Sequence, residues 1–162
     1  MPYLDGVSLG EGATPCLPVP SLAKSVGVAG VWIKNEGDNP TGSHKDRMSA
    51  QGVCRALASG ALEVVLASSG NAAVSAAAYC AAAGLACEVA TYRDLPQVFD
   101  AALRHYGARR VICETGHARW EHVRRRVRDE GAFALTNYSL PAVGSPVFGV
   151  EGYRAEIGRA HV

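Results

Sequence analysis

The most informative stretch of the chain is Asn39-Pro40-Thr41-Gly42-Ser43-His44-Lys45-Asp46-Arg47. Residues 31–36 before it are predicted to form a short strand, and the Asn, Pro and Gly of the stretch favour a turn that ends this strand. Apolar residues between 44 and 59 recur at helical spacing, and Ser43 is predicted as the helix N-cap. Lys45 therefore falls in the first turn of a helix, where a cation opposes the helix dipole and needs another explanation.

Lysine is rare in this sequence. The chain has three lysines, Lys24, Lys34 and Lys45, against thirteen arginines. An amine can bond covalently to an aldehyde, whereas a guanidinium effectively cannot, so a lysine beside a tight turn is a candidate covalent anchor. The alternative is that Lys45 is an exposed surface charge with no chemical role, as most lysines are.

A second loop, Ser68-Ser69-Gly70-Asn71, separates the apolar run 64–67 from the alanine-rich stretch 72–83. This order predicts a strand, a tight turn and a helix. Small residues at such a junction leave backbone N–H groups open at the positive end of a helix, where a carboxylate or a phosphate can bind. Many α/β units carry a Gly and a Ser at such a turn, so this loop alone does not identify a function.

Four segments together resemble one enzyme family. They are Gly10-Glu11-Gly12-Ala13-Thr14-Pro15, the stretch 39–47, the loop 68–71 and Val150-Glu151-Gly152-Tyr153. In order, spacing and residue type they resemble the fold-type II pyridoxal-phosphate-dependent enzymes of the tryptophan synthase β-like superfamily, and most closely the threonine synthase-like group. The sequence differs from that group at His44, where threonine synthases usually carry Phe and tryptophan synthase β chains carry His.

The resemblance implies a role for each residue of the two loops. Lys45 would hold pyridoxal 5'-phosphate covalently and, once substrate displaces it, move protons on and off carbon. Asn71 would hydrogen-bond the 3'-oxygen of the cofactor, and the backbone amides of Ser68, Ser69, Gly70 and Asn71 would bind the substrate carboxylate. Asp46 and Arg47 are interpreted as helix-start and packing charges.

The rest of the sequence alternates between strand and helix patterns. The strands are predicted at 63–67, 86–91, 110–113 and 133–136, and the helices at 71–83, 96–106 and 118–129. Such alternation predicts an α/β fold in which a parallel sheet carries helices on both faces.

The resemblance also implies a domain division. Residues 1–50 would belong to the larger cofactor domain, residues 51–146 would form the smaller α/β domain, and residues 147–156 would return to the larger one. We expect the smaller domain to be largely present and the larger one to be incomplete. Residues 157–162 match the conceptual translation of a sequencing adapter, so this tail is expected to be non-native and the chain an amino-terminal fragment with little activity of its own.

The expected function is elimination or replacement on an amino acid, with threonine synthase, which converts O-phosphohomoserine to threonine and phosphate, as the first choice. A serine/threonine ammonia-lyase or a β-replacing synthase of the same fold is the nearest enzyme alternative. An alternative of another class is a non-catalytic α/β module that binds an anion at the start of the helix after Gly70 without using Lys45.

Charge and composition indicate few other partners. The net charge is +1 with both signs scattered, which gives no nucleic-acid footprint, and the basic run 124–126 with Arg128 is interpreted as a solvated helix face. The five cysteines have no Cys-x-x-Cys spacing and the histidines have no second ligand, so no metal site is predicted. No apolar segment is long enough for a membrane span, and we expect a cytoplasmic location. The resemblance implies a small-molecule amino-acid substrate and, in the full-length form, a homodimer.

Overall fold

The computed structural model of the chain describes residues 6–141 and 147–154. Its strands are β1 Cys16–Pro18, β2 Trp32–Lys34, β3 Glu63–Ala67, β4 Ala86–Thr91, β5 Arg109–Ile112 and β6 Phe133–Ala134. Its helices are α1 Pro20–Val26, α2 Lys45–Ala58, α3 Asn71–Ala83, α4 Gln97–His105, α5 Gly116–Glu130 and α6 Val147–Gly152, with a 3-10 turn at Glu36–Asp38.

Four strands form a parallel sheet in the order β5-β4-β3-β6. Val64 of β3 pairs with Cys87 of β4 on one side and with Phe133 of β6 on the other. The chain adds β4 and β5 to one side of β3 and then returns to place β6 on the other side. The order of the strands thus reverses between β3 and β6, and ligands of open α/β sheets bind at the carboxyl ends of the strands beside such a reversal.

Helices cover both faces of this sheet, as the sequence predicted. Because successive side chains of a strand point to opposite faces, Val64 and Leu66 pack into one core cluster with residues of α2, α3 and α4. Val65 packs into a second cluster with Val123 of α5. All four of these side chains are fully buried, and the α/β fold class is confirmed.

The predicted helix and strand bounds after residue 60 agree with the structure to within two residues, and α3 and β4 agree at both ends. The amino-terminal part differs. The strand predicted at 31–36 is only Trp32–Lys34, and it pairs antiparallel with Cys16–Pro18, which the sequence did not predict as a strand. Both strands are three residues long, too short for a periodic pattern to show.

One residue of the basic run is not on a solvated face. Arg126 is 11% exposed and forms ion pairs with Glu63 and with Glu88, which is fully buried on β4. His122 of α5 also lies 2.6 Å from Glu88 through its Nε2 atom. The charges of α5 therefore serve partly to pair a buried carboxylate of the sheet, because an unpaired buried charge would be costly.

Helix α6 lies along α2 and runs antiparallel to it. The Phe148 ring stands 4.9 Å from the guanidinium carbon of Arg55, near the end of α2. Gly152 lies at the other end, where a Cβ atom would come within 2.1 Å of the Arg47 carbonyl oxygen. Only glycine permits this approach without a shift of the backbone.

No helix in the described part of the chain is long and apolar enough to cross a membrane. The predicted tail 157–162 lies outside the described residues, as does part of the segment 147–156. The division into two domains stays a prediction.

Replacing Gly152 with alanine should destabilise the chain by about 1–3 kcal/mol, because the new methyl group must displace the backbone of α6 from α2. The measurement is urea unfolding followed by circular dichroism. Gly116→Ala is the matched control, since a Cβ there comes no nearer than 3.4 Å to its closest neighbour, the Tyr92 hydroxyl. Equal stability of the two variants would contradict the close contact between α6 and α2.

Candidate active site

Lys45 is the first residue of α2, and its side chain is half-buried. The predicted N-cap is one residue too early by backbone geometry, because His44 directly precedes the helix and has helical angles. Ser43 still assists the helix start, since its Oγ accepts a hydrogen bond from the Lys45 N–H at 3.2 Å. Among the described residues, no carboxylate lies within ion-pair distance of the Lys45 amine, which leaves this amine available for chemistry.

The carboxylate next to Lys45 is used by the loop. Asp46 is fully buried and accepts the Thr41 N–H at 2.7 Å and the Thr41 hydroxyl. These two bonds close the turn from Thr41 back onto α2. The negative charge also lies in the first turn of the helix, where it offsets the unfavourable charge of Lys45.

The next residue along α2, Arg47, forms a two-pronged ion pair with Glu36. Its Nε and Nη2 atoms each lie 2.8 Å from an oxygen of the Glu36 carboxylate. The same carboxylate accepts hydrogen bonds from the Thr14 hydroxyl at 3.1 Å and the Asn39 amide at 2.8 Å. The Arg47 hydrogen bond, with smaller contributions from the other donors, lowers the pKa of Glu36 from 4.5 to about 2.

The Gly-Glu-Gly loop is bound to the same network. The Gly12 N–H donates to Asn39 Oδ1 at 2.9 Å, and a Cβ on Gly12 would lie 2.9 Å from the Arg47 guanidinium. Glu11 accepts the Tyr79 hydroxyl of α3 at 2.7 Å. Burial and this carboxylate raise the pKa of Tyr79, so the phenol stays a hydrogen-bond donor. The interpretation of Arg47 and Asp46 as packing charges agrees with these contacts.

The second predicted loop lies at the carboxyl end of β3, beside the reversal of strand order. Ser68 Oγ accepts the N–H groups of Ala73 at 3.1 Å and of Gly70 at 3.4 Å, so this side chain ties the loop to the first turn of α3. The Ser68 N–H donates to the Ala90 carbonyl of the sheet. Within the described part of the chain, the amides of Ser69 and Asn71 have no such partner, and the Asn71 side chain is exposed.

Thr136, which the sequence did not single out, lies next to this loop. Its Oγ accepts the Ala67 N–H at 3.1 Å, just after β6 ends at Ala134. Thr136 thus joins the carboxyl ends of β3 and β6 at the reversal point. The sequence pattern places Thr136 within a strand at 133–136, where threonine is common, so nothing pointed to its hydrogen bond with Ala67.

A hydrogen bond between the buried hydroxyls of Ser49 and Ser75, 2.7 Å long, joins α2 to α3. Ser49 follows Lys45 by four residues, and Ser75 follows Asn71 by four. At 1.5 Å of rise per residue, each helix start lies about 6 Å along its axis from this bond. The structure therefore brings the lysine and the end of the second loop, where α3 begins, into one region.

Tyr153, just after α6, is a further neighbour of Lys45. The lysine amine stands 5.2 Å from the centre of the Tyr153 ring, and the His44 ring centre is 5.6 Å from it. The sequence marked Tyr153 only as part of a returning segment. Its contact with Lys45 depends on the packing of α6 on α2, which local sequence patterns do not show.

Comparisons with known proteins show which family the chain belongs to. The family model described as pyridoxal-phosphate dependent enzyme matches residues 7–159. The chain belongs to the pyridoxal-phosphate dependent enzyme family. The prediction of pyridoxal phosphate as the cofactor is confirmed by this membership.

Threonine synthases are among its relatives. The chain is 47% identical over 83 residues to the threonine synthase of Halalkalibacterium halodurans, a match that covers 51% of the chain and 23% of that protein. It is 48% identical over 83 residues to the threonine synthase of Methanocaldococcus jannaschii, with 51% and 20% covered. The matched segment thus spans less than a quarter of the length of these relatives.

Solved structures of the family share the fold. A pyridoxal 5'-phosphate-dependent aspartate racemase is 30% identical, with a TM-score of 0.68 over 74% of the chain and 38% of the racemase. Diaminopropionate ammonia lyase of Escherichia coli is 14% identical, with a TM-score of 0.78 over 96% of the chain and 50% of the lyase. The second likeness supports the fold alone.

The residues present fit the cofactor. An aldehyde needs an amine that is not held in an ion pair, which Lys45 provides among the described residues. The exposed Asn71 amide and the backbone amides of Ser69 and Asn71 supply donors for oxygen atoms at the start of a 13-residue helix.

Glu36→Gln should destabilise the chain at pH 7 by about 3 kcal/mol at most, because it removes a carboxylate whose pKa is 4.5 unfolded and about 2 folded. The stabilisation from Glu36 is complete above pH 4.5 and is lost as the pH falls to about 2. The variant should therefore show a flatter dependence of stability on pH between about 5 and 2, measured by urea unfolding.

Asp129→Asn is the matched control for this prediction, since Asp129 pairs with Arg128 on the surface of α5. Its substitution should change stability little, because solvent screens exposed ion pairs. A Glu36→Gln variant that keeps the wild-type stability and pH profile would show that the network does not hold the lysine loop.

Proposed function

We propose that the chain carries the lysine and carboxylate-binding parts of an enzyme that catalyses elimination and replacement on an amino acid, and that the reaction is that of threonine synthase. The observation that carries this proposal is the placement of Lys45. The two residues that follow it are both anchored elsewhere, Asp46 to Thr41 and Arg47 to Glu36, and no carboxylate among the described residues pairs with its amine, which is presented at a fixed helix start.

The chain's own residues would divide the work as follows. Lys45 holds the cofactor through its amine and, when substrate takes its place, carries protons to and from the carbon atoms of the substrate. The Asn71 amide orients the cofactor through its 3'-oxygen. The backbone amides of Ser69 and Asn71, with the dipole of α3, bind the substrate carboxylate. When bound, pyridoxal phosphate supplies an electron sink for the carbanion that proton removal creates.

Of the four backbone amides that the resemblance assigns to the substrate carboxylate, we favour two. The Ser68 N–H is used by the sheet, and the Gly70 N–H faces Ser68 Oγ. Ser68 and Gly70 then shape the loop, while Ser69 and Asn71 contact the substrate. The proposed carboxylate site thus has two backbone donors instead of four, and it stays in the same loop.

The choice of threonine synthase is supported by the 47–48% identity to proteins of that name. The ammonia-lyase and the β-replacing synthase remain alternatives from the same fold. Release of inorganic phosphate from O-phosphohomoserine would favour the first choice, whereas ammonia released from serine or threonine would favour the lyase. A cytoplasmic location and a homodimeric assembly belong to this proposal as well.

Covalent capture of the cofactor tests the role of Lys45. The chain is mixed with pyridoxal phosphate, treated with a hydride reductant and digested, and the modified lysines are identified by mass spectrometry. Modification should concentrate on Lys45 and fall to the background of Lys24 and Lys34 in a Lys45→Ala variant. The matched control is Lys24→Ala, which removes an exposed lysine of α1 and should leave the capture unchanged.

Modification spread evenly over the three lysines would overturn the proposal. An anion-binding module that does not use Lys45 would then be the better account. Such a module should bind inorganic phosphate equally well with and without Lys45, and isothermal titration of the two proteins separates the two cases.

A further inference from the structure

We infer that Tyr153 is a positioning residue for Lys45, whose ring holds the charged amine against α6 and thereby sets how readily this amine reacts. The effect on cofactor attachment rests on the proposed function of Lys45. The contact between the Lys45 amine and the Tyr153 ring is present in the structure without the cofactor. The distance from the amine nitrogen to the centre of the Tyr153 ring is 5.2 Å, within the range of an attractive cation–π contact.

The position of Tyr153 is fixed by its own backbone and by the residues around its ring. Gly152 fits against the Arg47 carbonyl where a side chain would collide, and this brings the next residue to the start of α2. The Tyr153 N–H donates to the Val150 carbonyl at 3.0 Å, and the ring packs at the edge of the main hydrophobic cluster. The ring is therefore held in place by α6 and by the core.

The carboxylates on either side of the Lys45 turn are bonded to other residues, so they do not compete with the Tyr153 ring for the Lys45 amine. The Asp46 carboxylate is bonded to Thr41, and the Glu36 carboxylate is paired with Arg47. The His44 ring stacks at a tilt of 44° on Tyr153, which limits the movement of the tyrosine ring away from the lysine. Within the described ranges, the face of the Tyr153 ring is thus the group that attracts the charged Lys45 amine.

Covalent attachment requires the amine to lose its charge and leave the ring. A cation–π contact at a partly exposed site slows such a reaction by about two- to fivefold. The aromatic residue at position 153 would therefore tune cofactor attachment at Lys45 without touching the reacting carbon itself.

Competitive labelling tests the inference, because the three lysines can be compared within one sample. The chain without cofactor is treated with a trace of acetic anhydride, and the acetylation of Lys45 is expressed relative to that of the exposed Lys24. Tyr153→Leu should raise this ratio about two- to fivefold, whereas Tyr153→Phe, which keeps the ring, should leave it at the wild-type value. The melting temperature of each variant shows whether its fold is intact.

An unchanged ratio in a folded Tyr153→Leu variant would overturn the inference. If that variant fails to fold, Tyr153→Met provides the same comparison with a side chain that fills more of the space. Failure of both to fold, with Tyr153→Phe intact, would also overturn it, because the ring would then serve packing alone. Capture of pyridoxal phosphate at Lys45 in the wild-type chain is measured separately, so failure of this inference is distinguishable from failure of the proposed function.

Discussion

The ion pair between Glu36 and Arg47 is the interaction on which the candidate site depends. Charges taken out of water stabilise a fold only when each has good partners, and this carboxylate has three. Besides Arg47, it accepts the Thr14 hydroxyl and the Asn39 amide. One carboxylate therefore connects the opening loop, the turn before the lysine and the first turn of α2, three segments with no regular hydrogen-bond ladder between them.

This network explains how a lysine can occupy the first turn of a helix. The dipole disfavours a cation there by a few tenths of a kcal/mol to about 1 kcal/mol. Asp46, one residue later, supplies the opposite charge at the same helix end and is fully buried. The cost of Lys45 is thus offset locally, and the two residues that follow the lysine are fixed before its amine meets any ligand.

The sequence predicts the parts of this structure that local patterns encode. The helix 71–83 and the strand 86–91 follow from the alternation of strand and helix patterns along the chain, and the structure has both at the same bounds. The burial of the Arg126 side chain could not be predicted, because its partners Glu63 and Glu88 lie on strands far away in the sequence. The same reason hid the contact of Tyr153 with Lys45, which exists only once α6 packs on α2.

The two sides of the candidate site are held by different kinds of bonds. The lysine side depends on the Glu36 carboxylate, whose pKa Arg47 lowers to about 2, whereas the loop at 68–71 depends on the hydroxyls of Ser68 and Thr136 and on the sheet. Hydroxyls and backbone groups do not titrate in the acidic range, but carboxylates do. Acid should therefore loosen the lysine loop before the carboxylate-binding loop, which identifies the lysine side as the part of the site whose order depends on charge.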